Sequence, residues 1–299
     1  MVIHRYRCTL VSLLLMVAAG PTAASAPLRV VASINDLASI AAEVGGERVK
    51  VQSVARPNSD VHRVEVLPSY MVRVSRADLY LKVGLGLDTW ADQIVDGSRS
   101  DHLVVLDCAR DITPLERPTG KVDASMGDVH PEGNPHYWLD PRNGAIVARE
   151  IAETLSELDP QGAELFRQRS AGLARSADSL RTAWIARIAL TPTPAIFTYH
   201  SSWVYLGHAF GLEIASNVEP VPGIPPTASH LQKLIGIARE RRVSVLVQEP
   251  YFSDEAGQFL TREAGVRVVK ASASCDEPMA GSWLQHLDEV MAEIAGSER

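Results

Sequence analysis

Two stretches of this chain alternate short apolar runs with helix-like segments, and a long helical stretch separates them. The apolar runs lie at 28–34, 49–54, 77–83, 103–106, 195–198, 243–248 and 266–269. Helical patterns lie at 35–44, 68–76, 203–210, 229–240, 253–264 and 283–295. Strands that alternate with helices at this spacing are typical of parallel βα units. The pattern therefore predicts two α/β lobes.

The separating stretch, about 143–190, has the periodicity of amphipathic helices, with a break at Asp159-Pro160. Apolar residues recur there at spacings of three, four and seven, as on one face of a helix. We therefore expect a long helical connector. The resulting division is a leader over 1–26, an N-terminal lobe over 27–142, the connector over 143–190 and a C-terminal lobe over 191–299. Two such lobes bind ligands between them, at the carboxyl ends of their strands.

The first 26 residues have the three parts of a secretory signal peptide. Arg5 and Arg7 precede a short apolar run over 9–19, and Ala24-Ser25-Ala26 matches an Ala-x-Ala cleavage site. The apolar run is shorter than the roughly 20 residues that a membrane span needs. Cys8 precedes the run, whereas a lipoprotein needs a cysteine after it. We expect cleavage after about Ala26 and a location in the periplasm.

Charge and cysteine content narrow the classes further. The chain carries 29 basic and 36 acidic residues, and loss of the leader removes two basic residues, which leaves a net charge near −9. Without a basic run, a nucleic-acid partner is not expected. The remaining cysteines, Cys108 and Cys275, lie in different halves. They can form a disulfide, remain as two buried thiols or bind a metal, and spacing does not decide between these.

Three histidines lie in turn-like segments next to predicted strands or helices: His62, His136 and His200. Loops at strand ends are where an α/β scaffold places binding groups. Neutral imidazole is the commonest zinc ligand, and three imidazoles with one carboxylate complete a tetrahedral site. The separations along the chain do not show that the three meet. A helix cap, a surface position or a hydrogen-bonded, half-buried ring remain alternatives for each of them.

The segments around these histidines, in their order along the chain, resemble the metal-binding solute-binding proteins of zinc and manganese ABC importers (cluster A-I, TroA/ZnuA-like). The segments are Asp60-Val61-His62, Asn134-Pro135-His136-Tyr137-Trp138, Thr198-Tyr199-His200, Glu219-Pro220 and Gln248-Glu249-Pro250. The resemblance extends over nearly the whole chain after the leader. It implies a metal site in the cleft between the lobes.

Within that resemblance, His62 and His136 are metal ligands from the N-terminal lobe, and His200 is a ligand from the C-terminal lobe. A carboxylate of the C-terminal lobe usually completes the set, and Asp276 lies where the family has it. The spacing from Asp276 to the last helix is shorter than expected, so Glu277 or a water can take its place. Glu249 lies at a strand end and is expected behind the ligands, where it orients one of them.

The ligand set predicts Zn²⁺ as the cargo, because manganese prefers a larger share of oxygen ligands. Manganese and iron remain alternatives. We expect a monomeric receptor without catalytic activity, whose partner is a cognate ABC permease in the inner membrane. Whether a metal chaperone also takes part stays open. A zinc hydrolase is the alternative from another class, but the sequence has no HExxH motif and no Gly-x-Ser-x-Gly elbow. A surface adhesin on the same fold is a third.

Zinc-binding members often have a long loop rich in histidine and acid between the first two histidine ligands. Here the corresponding stretch, about 123–133, is short. It contains Asp123, Asp128, His130 and Glu132. These residues can form a weak capture site, but we favour a plain solvated loop. The other histidines, His102, His208, His230 and His286, have no sequence signal of a ligand role.

Overall fold

The computed structural model describes residues 26–123, 126–190 and 195–296. The predicted signal peptide therefore lies outside the described residues, apart from Ala26. In the N-terminal part the elements are β1 (Leu28–Ala32), α1 (Asn35–Gly45), β2 (Val49–Ser53), α2 (Pro68–Val74), β3 (Leu79–Lys82), α3 (Thr89–Ser98) and β4 (Val104–Asp107).

Two long helices follow, α4 (Pro141–Leu158) and α5 (Ala163–Ile188). The C-terminal elements are β5 (Ala195–Thr198), α6 (Val204–Phe210), β6 (Glu213–Asn217), α7 (Ala228–Arg241), β7 (Val245–Gln248), α8 (Glu255–Ala264), β8 (Arg267–Lys270) and α9 (Ser282–Ala295). Every apolar run named above overlaps a strand. The sequence patterns did not predict α3 or β6.

Each lobe contains a four-stranded parallel sheet, and both sheets have the same topology. The orders are β2-β1-β3-β4 and β6-β5-β7-β8. Val30 pairs with Val51 on one side and with Leu79 on the other, and Thr198 lies in the same way between Asn217 and Val247. All residues of β5 and β7 are buried, as expected for parallel strands covered by helices on both faces. The prediction of two α/β lobes is confirmed.

The connector is dominated by α5, whose 26 residues span about 39 Å at the usual helical rise. Near its start, Arg169 donates from Nη1 to the backbone oxygen of Glu43 at the end of α1. Near its end, Nε1 of Trp184 donates to Oδ1 of Asp288 on α9 over 2.7 Å. The helix thus contacts elements from both ends of the chain, and the predicted helical connector is confirmed.

The last helix, α9, packs back onto the N-terminal part of the chain. Nε1 of Trp283 donates to the backbone oxygen of Trp138, and Nε1 of Trp138 donates to that of Ala273. A side chain at Gly144 of α4 would meet the Trp283 ring at 2.0 Å. The two halves are therefore joined by close packing as well as by α5.

The structure also describes the two cysteines and bears on membrane spans. Cys108 and Cys275 are both buried and both free thiols, so they are not joined. In the described ranges, no helix combines the length and the apolar character that a membrane span needs.

Candidate metal site

Three loops bring the predicted histidines to one place. His62 lies in the loop between β2 and α2, His136 lies directly before the short helical turn Tyr137–Leu139 that leads into α4, and His200 follows β5. Pro141 stands at the first position of α4, where a missing N–H costs nothing, and the side chain of Asp140 caps that helix. Local helix-start chemistry therefore fixes the chain next to His136.

The rings of the three histidines converge. Their ligand atoms lie within 4.8 Å of one another. The ring centroids are separated by 5.1 Å for His62 and His136, 5.4 Å for His62 and His200, and 5.7 Å for His136 and His200. Imidazoles bound tetrahedrally to zinc, with Zn–N bonds of about 2.0–2.1 Å, have centroids roughly 5 Å apart. The spacing of the rings therefore fits a tetrahedral zinc ion with little movement.

His62 and His136, the two histidines of the N-terminal lobe, are held by the same local hydrogen-bond arrangement. Oδ1 of Asp60 accepts from the backbone N–H of His62 at 2.9 Å and lies 2.9 Å from its Nδ1. Oδ1 of Asn134 accepts from the backbone N–H of His136 at 3.1 Å and lies 2.9 Å from its Nδ1. In both pairs the acceptor stands two residues before the histidine. The arrangement fixes each ring so that Nε2 is left for a ligand.

The Nε2 atoms of His62 and His136 are buried and have no hydrogen-bond partner in the described structure. Buried polar atoms are nearly always paired, so such atoms mark a place where another species binds. Burial, followed by the nearby ring of His62, lowers the pKa of His136 well below its usual value. His136 is therefore neutral at ordinary pH, which is the form that binds a metal ion.

His200 is oriented by an acidic partner from the C-terminal lobe. Its Nδ1 lies 2.7 Å from Oε2 of Glu219, and the same oxygen accepts from the backbone N–H of Gly223 at 2.9 Å. Burial by itself lowers the pKa of His200, but the hydrogen bond to Glu219 and the charge of Glu249 raise it overall. This arrangement matches the carboxylate–histidine pairs that support zinc ligands.

Glu249 lies behind the turn that carries His200. Its Oε1 accepts from Oγ of Ser202 at 2.8 Å and from Nε1 of Trp203 at 3.0 Å, and its side chain is fully buried. Burial raises the pKa of this carboxyl group. Its other oxygen, Oε2, is buried without a partner among the described atoms. These contacts fit the expected position behind the ligands.

Asp276 is not brought into this group. Its side chain is exposed, and its backbone oxygen accepts from Nδ2 of Asn35 at 2.9 Å. The expectation that Asp276 supplies the fourth ligand therefore does not fit the structure. The physical reason lies in the preceding residues, because Asp36 accepts from Ser274 and from the backbone of Cys275 and draws the segment towards α1.

A fourth histidine, His130, lies beside the group. Its ring stacks on that of His62 with centroids 5.4 Å apart, and its Nε2 is buried with no hydrogen-bond partner in the described residues. The interpretation of this loop as plainly solvated is wrong at His130. A sequence signal was present, because Asp128-Val129-His130 repeats the triplet Asp60-Val61-His62.

Solvent reaches the histidines through an open cavity of about 450 Å³. Its lining includes His62, His200, Glu219, Asp128 and Tyr251. The carboxylates of Asp60, Asp128 and Glu219 line this cavity together with the guanidinium of Arg63. The excess of acidic groups favours the approach of a cation.

The comparisons with known proteins agree with this architecture. A family model described as "Zinc-uptake complex component A periplasmic" (ZnuA) matches residues 30–297. The chain belongs to the ZnuA family. Members of this family are metal-binding substrate-binding proteins of ABC transporters. They are receptors and not enzymes, which agrees with the sequence-based expectation and argues against the hydrolase alternative.

Individual relatives are distant but align over most of the chain. The iron-binding protein YfeA of Yersinia pestis is 25% identical over 83% of this chain and 78% of its own length. The manganese-binding lipoprotein MntA of Halalkalibacterium halodurans is 24% identical over 81% and 77%. A crystal structure of ZnuA superposes with a TM-score of 0.77 at 25% identity, over 90% of this chain and 98% of that one.

Proposed function

We propose that this protein is a periplasmic receptor that captures Zn²⁺ in the cleft between its lobes and delivers the ion to an ABC permease in the inner membrane. The observation that carries the proposal is the convergence of the ligand atoms of His62, His136 and His200 within 4.8 Å. Each of these rings has its Nδ1 engaged by a neighbour, which presents Nε2 to the cargo.

The donor set supports zinc over manganese. Imidazole nitrogen suits zinc, whereas manganese is usually held by more oxygen ligands. The carboxylates of Asp60 and Glu219 are engaged by His62 and His200, so they act on the rings and are not offered to the ion. Manganese and iron are the alternatives, since MntA is named manganese-binding and YfeA iron-binding.

Capture needs no large rearrangement of the histidines. The ring spacing already fits a tetrahedral ion, and the two halves of the chain are held by α5 and by the packing of α9. A site that is organised in advance loses little conformational entropy on binding, which favours high affinity. Release of the ion then requires a conformational change, and in this proposal docking on the permease causes that change.

The test is a competitive titration of the metal-free protein, lacking residues 1–26, with Zn²⁺, Mn²⁺ and Fe²⁺. We expect one zinc site, with binding weakened more than about 100-fold in His200→Ala. His102→Ala, at an exposed histidine, serves as the matched control. A preference for manganese or iron would replace zinc as the cargo. The absence of a stoichiometric site for all three ions would overturn the receptor role.

A further inference from the structure

We propose that His130 is the fourth ligand of the cargo ion, so that the metal is held by four imidazoles and the segment 126–133 closes over it. This inference rests on the proposed metal-capture function. Its basis is the position and orientation of the His130 side chain. The sequence patterns did not predict His130 as a ligand, because a carboxylate was expected in the fourth position.

The orientation of the His130 ring matches that of the other three. An added Cβ at Gly86 would lie 3.5 Å from Nδ1 of His130, so this nitrogen faces the Gly86 backbone, to which the ring hydrogen-bonds. The opposite nitrogen, Nε2, is buried and has no hydrogen-bond partner in the part of the chain that is described. All four rings therefore have Nδ1 engaged. Three of them, those of His62, His130 and His136, have a buried Nε2 without a hydrogen-bond partner among the described residues.

The distance from His130 to its neighbour also fits. The centroids of His130 and His62 are 5.4 Å apart, the same as those of His62 and His200. This is close to the spacing of roughly 5 Å that tetrahedral zinc imposes on imidazoles. The ligand atoms of His130 are not in the tight group of three, so the segment must shift inward for its Nε2 to reach the ion.

The segment has room for this shift. Two cavities, of about 450 Å³ and about 230 Å³, adjoin the segment: Asp128 lines both, and His130 lines the smaller one. The segment is anchored to both lobes. The backbone N–H of Asp128 donates to the oxygen of Pro222 in the C-terminal lobe at 2.9 Å, and the carboxylate of Asp128 lies 3.7 Å from Nη2 of Arg63 in the N-terminal lobe.

The same anchor links His130 to His200. Pro222 is followed by Gly223, whose N–H donates to Oε2 of Glu219, and that oxygen holds Nδ1 of His200. Closure of the segment and orientation of His200 therefore both depend on the backbone of Pro222 and Gly223. A loop of the N-terminal lobe thereby carries a ligand to the same ion as the C-terminal lobe.

Glu249 is the competitor for the fourth position, because its Oε2 is also buried without a partner in the described structure. Its other oxygen is held by Ser202 and Trp203, which keeps the carboxylate behind the turn of His200. The ring of His130 stacks on that of His62 in a partly exposed segment, whereas Glu249 is fully buried at the end of β7. The geometry therefore favours His130.

The experiment that tests this proposal measures how many imidazole ligands the bound zinc ion has. Zinc-edge X-ray absorption of the zinc-loaded protein should give four imidazole ligands, and His130→Ala should give three with a zinc Kd weakened more than about tenfold. Glu132→Ala, an exposed position in the same segment, is the matched control and should keep four imidazoles and wild-type affinity. If His130→Ala does not fold, as judged by circular dichroism, His130→Gln replaces it.

The outcomes separate this inference from the proposed function. Three imidazoles in the wild type, with unchanged affinity in His130→Ala, would overturn the role of His130 and leave the receptor function standing. In that case a loss of an oxygen ligand in Glu249→Gln would identify the competitor. A wild-type protein that binds no zinc would overturn both proposals.

Discussion

Nδ1 of His200 lies 2.7 Å from Oε2 of Glu219, and each of these side chains is only 5% exposed. The pair joins a candidate ligand to the C-terminal lobe and fixes which ring nitrogen faces the cleft. The hydrogen-bond partner of a metal ligand affects that ligand through its charge as well as through its geometry. Substitution of Glu219 therefore tests directly how the site is organised.

We expect Glu219→Gln, which keeps an acceptor oxygen but removes the charge, to weaken zinc binding by about 10- to 100-fold. Glu219→Ala should weaken it further, because it also frees the backbone N–H of Gly223. Competitive chelator titration measures both variants. Glu213→Gln, at an exposed edge of the same lobe, should bind as the wild type does. Equal affinity in all three would show that Glu219 does not orient His200.

Asp276→Ala should bind zinc within about threefold of the wild type, because its exposed side chain lies outside the histidine group. The same titration decides the matter, with His136→Ala as the variant that must lose the site. A loss in Asp276→Ala comparable to that in His136→Ala would restore Asp276 as a ligand. It would also require the segment after β8 to move when metal binds.

Gly144→Ala should destabilise the protein by about 1–3 kcal/mol through overpacking. An added Cβ would lie 2.0 Å from the ring of Trp283, whose indole is held by Trp138. Gly172 is the matched control, because a Cβ there would meet only the end of the Arg175 side chain, at 3.8 Å. Gly172→Ala should stabilise α5 by up to about 1 kcal/mol. Urea unfolding of the metal-free protein gives both values, and stabilisation by both substitutions would contradict the packing argument.

The environment of Glu150 on α4 leads us to expect that the free energy of unfolding depends on pH. Its side chain is fully buried 3.4 Å from Nε of Arg110, and burial raises its pKa to about 7, although Arg110 opposes the shift. A carboxyl group whose pKa is higher in the folded state than the 4.5 of the unfolded chain stabilises most below pH 4.5. That stabilisation is lost as the pH rises through about 7.

Glu150→Gln imitates the protonated form, so we expect its stability relative to the wild type to increase between pH 5 and pH 8, by roughly 1–3 kcal/mol. Guanidinium unfolding of the metal-free proteins at the two pH values measures the change. The control is Glu153→Gln, at an exposed position on the same helix, which should show the same difference from the wild type at both. An equal difference at both pH values for Glu150→Gln would show that the carboxylate is already solvated.

Much of the fold could be read from local patterns, because parallel strands covered by helices must be short apolar runs. The run at 195–198 and the strand Ala195–Thr198 coincide. The strand Glu213–Asn217 was missed because it is an edge strand with no fully buried residue. The helix Thr89–Ser98 was missed because it is short and because its apolar residues are followed by Asp, Gly and Ser, which are typical of turns.

The sequence predicted part of the site. Residues in segments that resemble the family were found together, whereas a position that depends on contacts with distant residues was not predicted. His62, His136 and His200 each lie in a segment that resembles the family, and the structure brings these three together. Asp276 was expected on the same grounds, but its position depends on how Asp36 holds the preceding residues, and no local pattern contains that contact. His130 was passed over although its triplet repeats that of His62.

Local sequence alone was sufficient for the succession of strands and helices, the break between α4 and α5, and the candidate histidines in their loops. These depend on side-chain polarity and backbone preference over a few residues. The convergence of His62, His136 and His200, the placement of Asp276 in solvent and the packing of α9 onto α4 depend on contacts between residues far apart in the chain. Such contacts form only when both lobes are assembled, so only the tertiary structure decides which side chains share the site.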